Sequence, residues 1–176
     1  MKMIWKFVKG IVVALYLVVA VFVIVCLLNR NDHGVIELGN NNLVVVSDDE
    51  MKPNYNKGDL IVLKNIDADK VEINDMVFFY KMEFGEGSVN LANVVDKYKV
   101  NEKETTFTVK DDYKFSGEYL IGRSIDSNSY GTIGSIIKLL ISRWGFLFLI
   151  ILPILMTFIY QIYAIVVEVK KELKEA

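Results

Sequence analysis

Two long stretches without a charged side chain limit what this chain can become. Residues 10–28 and 145–167 contain no Asp, Glu, Lys or Arg. An apolar helix of about 18 or more residues matches the roughly 30 Å hydrocarbon core of a bilayer. Each stretch is therefore expected to span a membrane. The first lies in an N-terminal anchor, 1–29, and the second in a C-terminal span, 145–168, with a short tail at 169–176. Between them, residues 30–130 suit one small domain.

The first stretch does not read as a cleaved signal. The apolar part of such a signal runs about 7–15 residues, and here the exit "VCLLNRND" offers no small-x-small pair. Val25 precedes Cys26 where a lipid-attachment motif needs a small residue, so Cys26 is expected to face lipid or the neighbouring helix. One cysteine also excludes an internal disulfide framework.

Charge sets the expected orientation. Lys2, Lys6 and Lys9 precede the first span, and Lys170, Lys171 and Lys174 follow the second among Glu168, Glu172 and Glu175. Residues 30–134 hold 12 Lys and Arg against 19 Asp and Glu, a net charge of −7. Basic flanks stay in the cytoplasm. The expected product is a multi-pass protein of the cytoplasmic membrane, both termini inside and the middle domain outside. An acidic middle without a basic stripe argues against a nucleic-acid partner. No metal or cofactor is expected, and the oligomeric state stays open.

The middle reads as strands. "NLVVVS", "DLIVLKNI", "DMVFFYKM", "VNLANVVDKYKV", "TTFTVK" and "GEYLIGRSI" are short β-branched or alternating runs separated by turn residues. Such spacing predicts a mainly β domain, a barrel or sandwich. Residues 29–42 read as a connection. In 131–144, Ile133, Ile136, Ile137, Leu140 and Ile141 recur at helical spacing, which predicts an amphipathic helix at the membrane interface ending in Trp144.

Some of these runs carry motifs. In "EMKPNYNKGDLIVL", Pro53 removes a backbone donor and Gly58-Asp59 makes a turn before a strand. Asp75 opens the strand of "VEINDMVFF", and "TVKDDYKFSGEYLIGRS" brings Lys110 and Asp112 and then Ile121-Gly122-Arg123. In order and spacing these segments resemble the type I signal peptidases, in particular the endoplasmic-reticulum-type branch found in archaea and many Gram-positive bacteria. Met51, Pro53, Gly58, Asp59, Asp75, Lys110, Asp112, Ile121, Gly122 and Arg123 carry the likeness. Asn74 and Asp111 stand where glycine is usual. The likeness implies a signal-peptidase-like β domain flanked by two transmembrane helices.

Two departures concern the chemistry that the resemblance implies. Glu50 stands where the nucleophilic serine would be, and Ala92 falls where that branch places its histidine base. Asp112 would then have no base to orient. The only histidine, His33, lies in the polar connection and is expected to be solvated. Lys81, Lys97, Lys99 and Lys110 are expected on a solvated strand face. Losing both nucleophile and base from a serine protease costs on the order of a millionfold in rate.

The implied role is binding without catalysis. Leu43, Val44, Val45 and Val46 would offer a strand edge to an extended exported protein or signal segment, with Asp48, Asp49, Met51 and Pro53 lining the groove. Glu50 and Asp112 would lie close together, and the acids would favour a basic client. A chaperone or assembly factor, for example in pilus assembly, fits the resemblance. Two alternatives stay open: an active signal peptidase with a non-standard site, and a non-catalytic membrane scaffold.

Overall fold

The computed structural model describes residues 2–83, 86–101 and 104–175. Residues 84–85 and 102–103, which separate strand runs in the sequence, lie outside the described residues. Contacts divide the chain into two compact units. One joins residues 1–25 to 139–176, and the other is residues 26–138.

The first unit is helical. Helix α1 spans Lys2–Leu28. Two helical stretches, Gly10–Leu28 and Arg143–Lys170, are long and apolar enough to cross a membrane. Ile11, Leu15, Phe158 and Ile162 are exposed on them. That is costly in water and suits hydrocarbon.

Near the start of the C-terminal run, Leu147–Ile151 forms a π-helical turn ahead of a helix over Leu152–Glu175. Pro153 has no N–H to give to the carbonyl four residues back, that of Leu149. The Tyr16 hydroxyl of α1 donates to that carbonyl at 2.7 Å. A freed backbone group is thus satisfied from a neighbouring helix, as an apolar solvent requires.

The second unit contains nine strands among its described residues: β1 (Ile36–Leu38), β2 (Asn41–Val45), β3 (Leu60–Lys64), β4 (Met76–Glu83), β5 (Glu86–Asn101), β6 (Glu104–Val109), β7 (Lys114–Ser116), β8 (Leu120–Arg123) and β9 (Asn128–Tyr130). They form two antiparallel sheets, ordered β1-β2-β3-β9 and β7-β6-β5-β4-β8. Strand β5 is long enough to pair with β4 along its first half and β6 along its second.

Alternation along β4 feeds two cores. Phe78 joins Val44, Val46, Ile61, Leu63 and Ile121 in the core shared with the first sheet. Val77 and Phe79 face the other way, into a core with Val94, Phe107, Val109 and Phe115. The sheets approach closely where β8 meets β3. A Cβ at Gly122 would lie 2.9 Å from the Lys64 carbonyl oxygen and 3.2 Å from Leu63 Cβ, so this position needs glycine.

Several expectations change. The connection over 29–42 contains β1. Its anchor is Asn31, whose side-chain oxygen accepts from the His33 and Val35 amides while its nitrogen donates to Tyr80 and Glu37. The His33 ring packs at a tilt against Tyr80 with ring centroids 4.7 Å apart, so it is packed rather than simply solvated. Of the two surroundings expected for Cys26, its full burial rules out lipid alone. The helix expected over 131–144 is interrupted. Helix α2 covers Ile133–Leu140, and Ser142 then caps a new helix, α3 (Arg143–Phe146), accepting from the Gly145 amide at 3.0 Å. A serine at an N-cap satisfies an otherwise orphaned donor and so starts a helix afresh. Trp144 belongs to that second helix.

Candidate functional site

Glu50 sits on a turn, not a strand. Strand β2 ends at Val45. The Val46 amide donates to the Asp59 carbonyl, and the Gly58 amide returns a bond to the Val46 carbonyl. Gly58 takes φ 92°, a conformation open to glycine. The Asp59 carboxylate accepts from the Asn56 amide at 2.9 Å. Within this closure the Asp48 carboxylate accepts from the Glu50 amide, and Lys52 pairs with Asp49 at 3.0 Å, both exposed. Met51 and Tyr55 are buried beneath, and the Tyr55 hydroxyl meets Ser124 and Ser127 at 2.8 and 3.0 Å.

The substrate edge expected at residues 43–46 is much shorter than supposed. Leu43 lies between β1 and β3, paired with Ile36 and Val62. Val44, Val46 and Met51 are core side chains, at most 5% exposed, so they contribute no pocket surface. Val45 lies beyond the end of the β1 pairing and has a strand partner on one side only among the described residues. Asp48, Asp49 and Pro53 are exposed on the turn. Among the described residues no hydrogen bond joins Glu50 to Asp112. Asp112 is exposed, with φ 56°, at the end of the turn Lys110–Asp112.

A cavity of about 340 Å³ lies on the outer part of the β4–β5 face. Period-2 alternation puts Phe79 and Lys81 of β4 on this face, with Asn90 opposite Phe79 and Ala92 opposite Val77. Met76, Phe79, Leu91, Ala92 and Val109 form the apolar lining. Asn54, Lys81, Asn90, Asn93, Lys110 and Tyr113 supply the polar groups. The cavity thus gathers Asn54 from the Glu50 turn, the Ala92 strand and the Lys110 turn. Asn54 contacts Met76 Sδ at 3.5 Å. The Met82 amide donates to the Tyr113 hydroxyl at 3.0 Å, and the Lys81 ammonium lies 5.8 Å over the Tyr113 ring.

One contact was not anticipated. Lys138 of α2 donates to Ser47 Oγ at 3.1 Å, both groups exposed. Ser135 of the same helix donates its amide to the Gly58 carbonyl. Helix α2 therefore braces both ends of the loop that carries Glu50. Lys138 is 91 residues from Ser47. The only local signal was its place on the polar side of the helix.

The other motif residues shape turns. Asn74 takes φ 76°, which asparagine tolerates in place of glycine. The Asp75 carboxylate accepts from the Glu72 amide at 2.9 Å and from Arg123 at 3.3 Å. Arg123 also holds Asp126 at 2.7 Å, and that bond raises its already high pKa.

Lys97 and Lys99 are not simply solvated. Lys97 donates to the carbonyls of Asp69 and Val71. Lys99 pairs with Asp69 and lowers that carboxyl's pKa by its hydrogen bond.

Among the described residues no three His, Cys, Asp or Glu side chains gather as a metal site. The chain matches no family profile, no curated protein and no solved structure.

Proposed function

We propose that this is a signal-peptidase-I-like membrane protein whose peptidase site is degenerate, and which holds exported proteins or signal segments beside the membrane as a chaperone or assembly factor, for example in pilus assembly. The observation that carries this reading is the division among the motif residues. Gly58, Asp59, Asp75, Gly122 and Arg123 hold turns and strand approaches in place. The two positions assigned to chemistry hold Glu50, exposed on a turn, and Ala92, whose methyl group leaves a cavity open. A scaffold kept without its nucleophile and base suits binding more than acyl transfer. The basic flanks support an extracytoplasmic placement of the β unit, with both termini cytoplasmic.

The Ser47–Lys138 contact favours the alternative, an active peptidase with a non-standard site. In that contact the Lys138 side chain donates to the Ser47 hydroxyl at 3.1 Å, which puts a lysine and a serine within reach of proton transfer. The test uses the full chain, purified and placed in lipid nanodiscs, with a fluorogenic preprotein peptide. No cleavage is expected. Cleavage abolished by Ser47→Ala or Lys138→Ala would overturn the degenerate reading and name the dyad.

A further inference from the structure

We infer that the cavity beside Ala92 accepts a carboxylate carried by a short extended peptide; this rests on the proposed role in holding exported proteins and takes the cavity as the peptide site. The first argument is charge. Acids outnumber bases in residues 30–134, yet none of the described residues lining this cavity is acidic, and the exposed Lys110 lies among them.

The second argument is donor count. The Asn90 carbonyl oxygen already accepts from the Leu91 amide at 2.9 Å, so that side chain offers its amide hydrogens. The Tyr113 hydroxyl already accepts from the Met82 amide, so it offers its own proton. A carboxylate is acceptor-only and takes several such donors at once.

The third argument is the floor. Met76, Ala92 and the Tyr113 ring are partly exposed and offer apolar surface, and a bare inorganic anion has nothing to place on them. A carboxylate flanked by apolar residues uses both parts. The turn with Asp48, Asp49 and Glu50, outside the lining, carries the opposite sign. It favours a ligand whose basic residues point away from the cavity toward that turn.

The source of the carboxylate is a chain terminus or an acidic side chain, and the test separates them. The full chain in zwitterionic nanodiscs is titrated with three Ala/Leu peptides. One has a free C-terminus, one is amidated, and one is amidated with an internal glutamate. The backbone amides of Ala92 and Asn93 are followed by NMR. At least one carboxylate peptide is expected to bind about tenfold tighter than the neutral amide, a difference near 1.4 kcal/mol. Lys81→Gln with Lys110→Gln should erase that preference, and Lys64→Gln, an exposed lysine outside the cavity, should keep it.

Equal binding of all three peptides overturns the carboxylate inference and leaves the peptide-site reading standing. Preference that survives the double substitution also overturns it. The wild-type comparison decides even if the double variant fails to fold. A preference that vanishes in discs containing phosphatidylglycerol assigns the cavity to lipid phosphate and overturns the inference. If no peptide shifts these amides, both readings fail.

Discussion

Replacing Tyr16 by phenylalanine removes one oxygen and leaves the ring. In the wild type that oxygen serves the Leu149 carbonyl, which Pro153 cannot serve. Hydrogen bonds between membrane helices average about 0.6 kcal/mol and reach about 1.7. This carbonyl lacks its usual backbone donor, so Tyr16→Phe is expected to cost about 1 kcal/mol, within that range. Pro153→Ala returns an N–H at the right spacing. In that background the same Tyr16 change should cost only about 0.3 kcal/mol, a non-additivity that marks direct coupling. The assay is SDS-induced separation of the two apolar helices in bicelles, read by energy transfer between labels on residues 12 and 156. Equal cost in both backgrounds would refute the idea that Tyr16 acts through the carbonyl orphaned by the proline.

Other outcomes follow from the β unit. Asn31→Ala strips bonds from the buried Val35 amide, the His33 amide and Tyr80, while its exposed bond to Glu37 adds little; a loss of about 2–3 kcal/mol is expected, read as a fall in urea midpoint by pulse proteolysis, and an unchanged midpoint would contradict it. Burial raises the Tyr80 pKa above its ordinary value. The neutral phenol is therefore favoured in the folded state, and its contribution is complete below about pH 10 and lost as pH rises through the folded pKa. Alkaline unfolding should be less steep in Tyr80→Phe than in the wild type, and superimposable profiles would rule this out. A cysteine at exposed Ser88, in a Cys26→Ser background, should react with an impermeant maleimide in intact cells, and its protection there would reverse the proposed sidedness.

Much of the fold was legible where side chains repeat. The six short runs of β-branched or alternating residues appear as β2, β3, β4, β5, β6 and β8, and both apolar helices announce themselves by length. Strands β1, β7 and β9 span three residues each, too few for a period to show. The break at Ser142 was hidden because the apolar spacing continues across it, whereas the cap depends on a single hydroxyl. At the site, sequence brought the right segments into view but misjudged their form. Glu50 was read only as the serine's replacement, and nothing local marks the loop that the bonds at Val46, Gly58 and Asp59 close around it. Leu43 looked like part of an edge because β1 was not foreseen, and nothing local in Lys138 points to Ser47. Lys110 is exposed, as expected, and the cavity it shares with Ala92 depends on long-range pairing that local sequence does not reveal.

The measurement that bears most directly on the degenerate-site account places a photocrosslinking amino acid at Asn93, on the cavity wall, in the full-length protein in nanodiscs. A defined exported preprotein is added, light is applied, and the adduct is weighed by intact mass. The account predicts an adduct that contains the whole preprotein, signal segment included, and little adduct from the same probe at Lys64. An adduct carrying a preprotein cut after its signal segment, or equal capture at both positions, would contradict it.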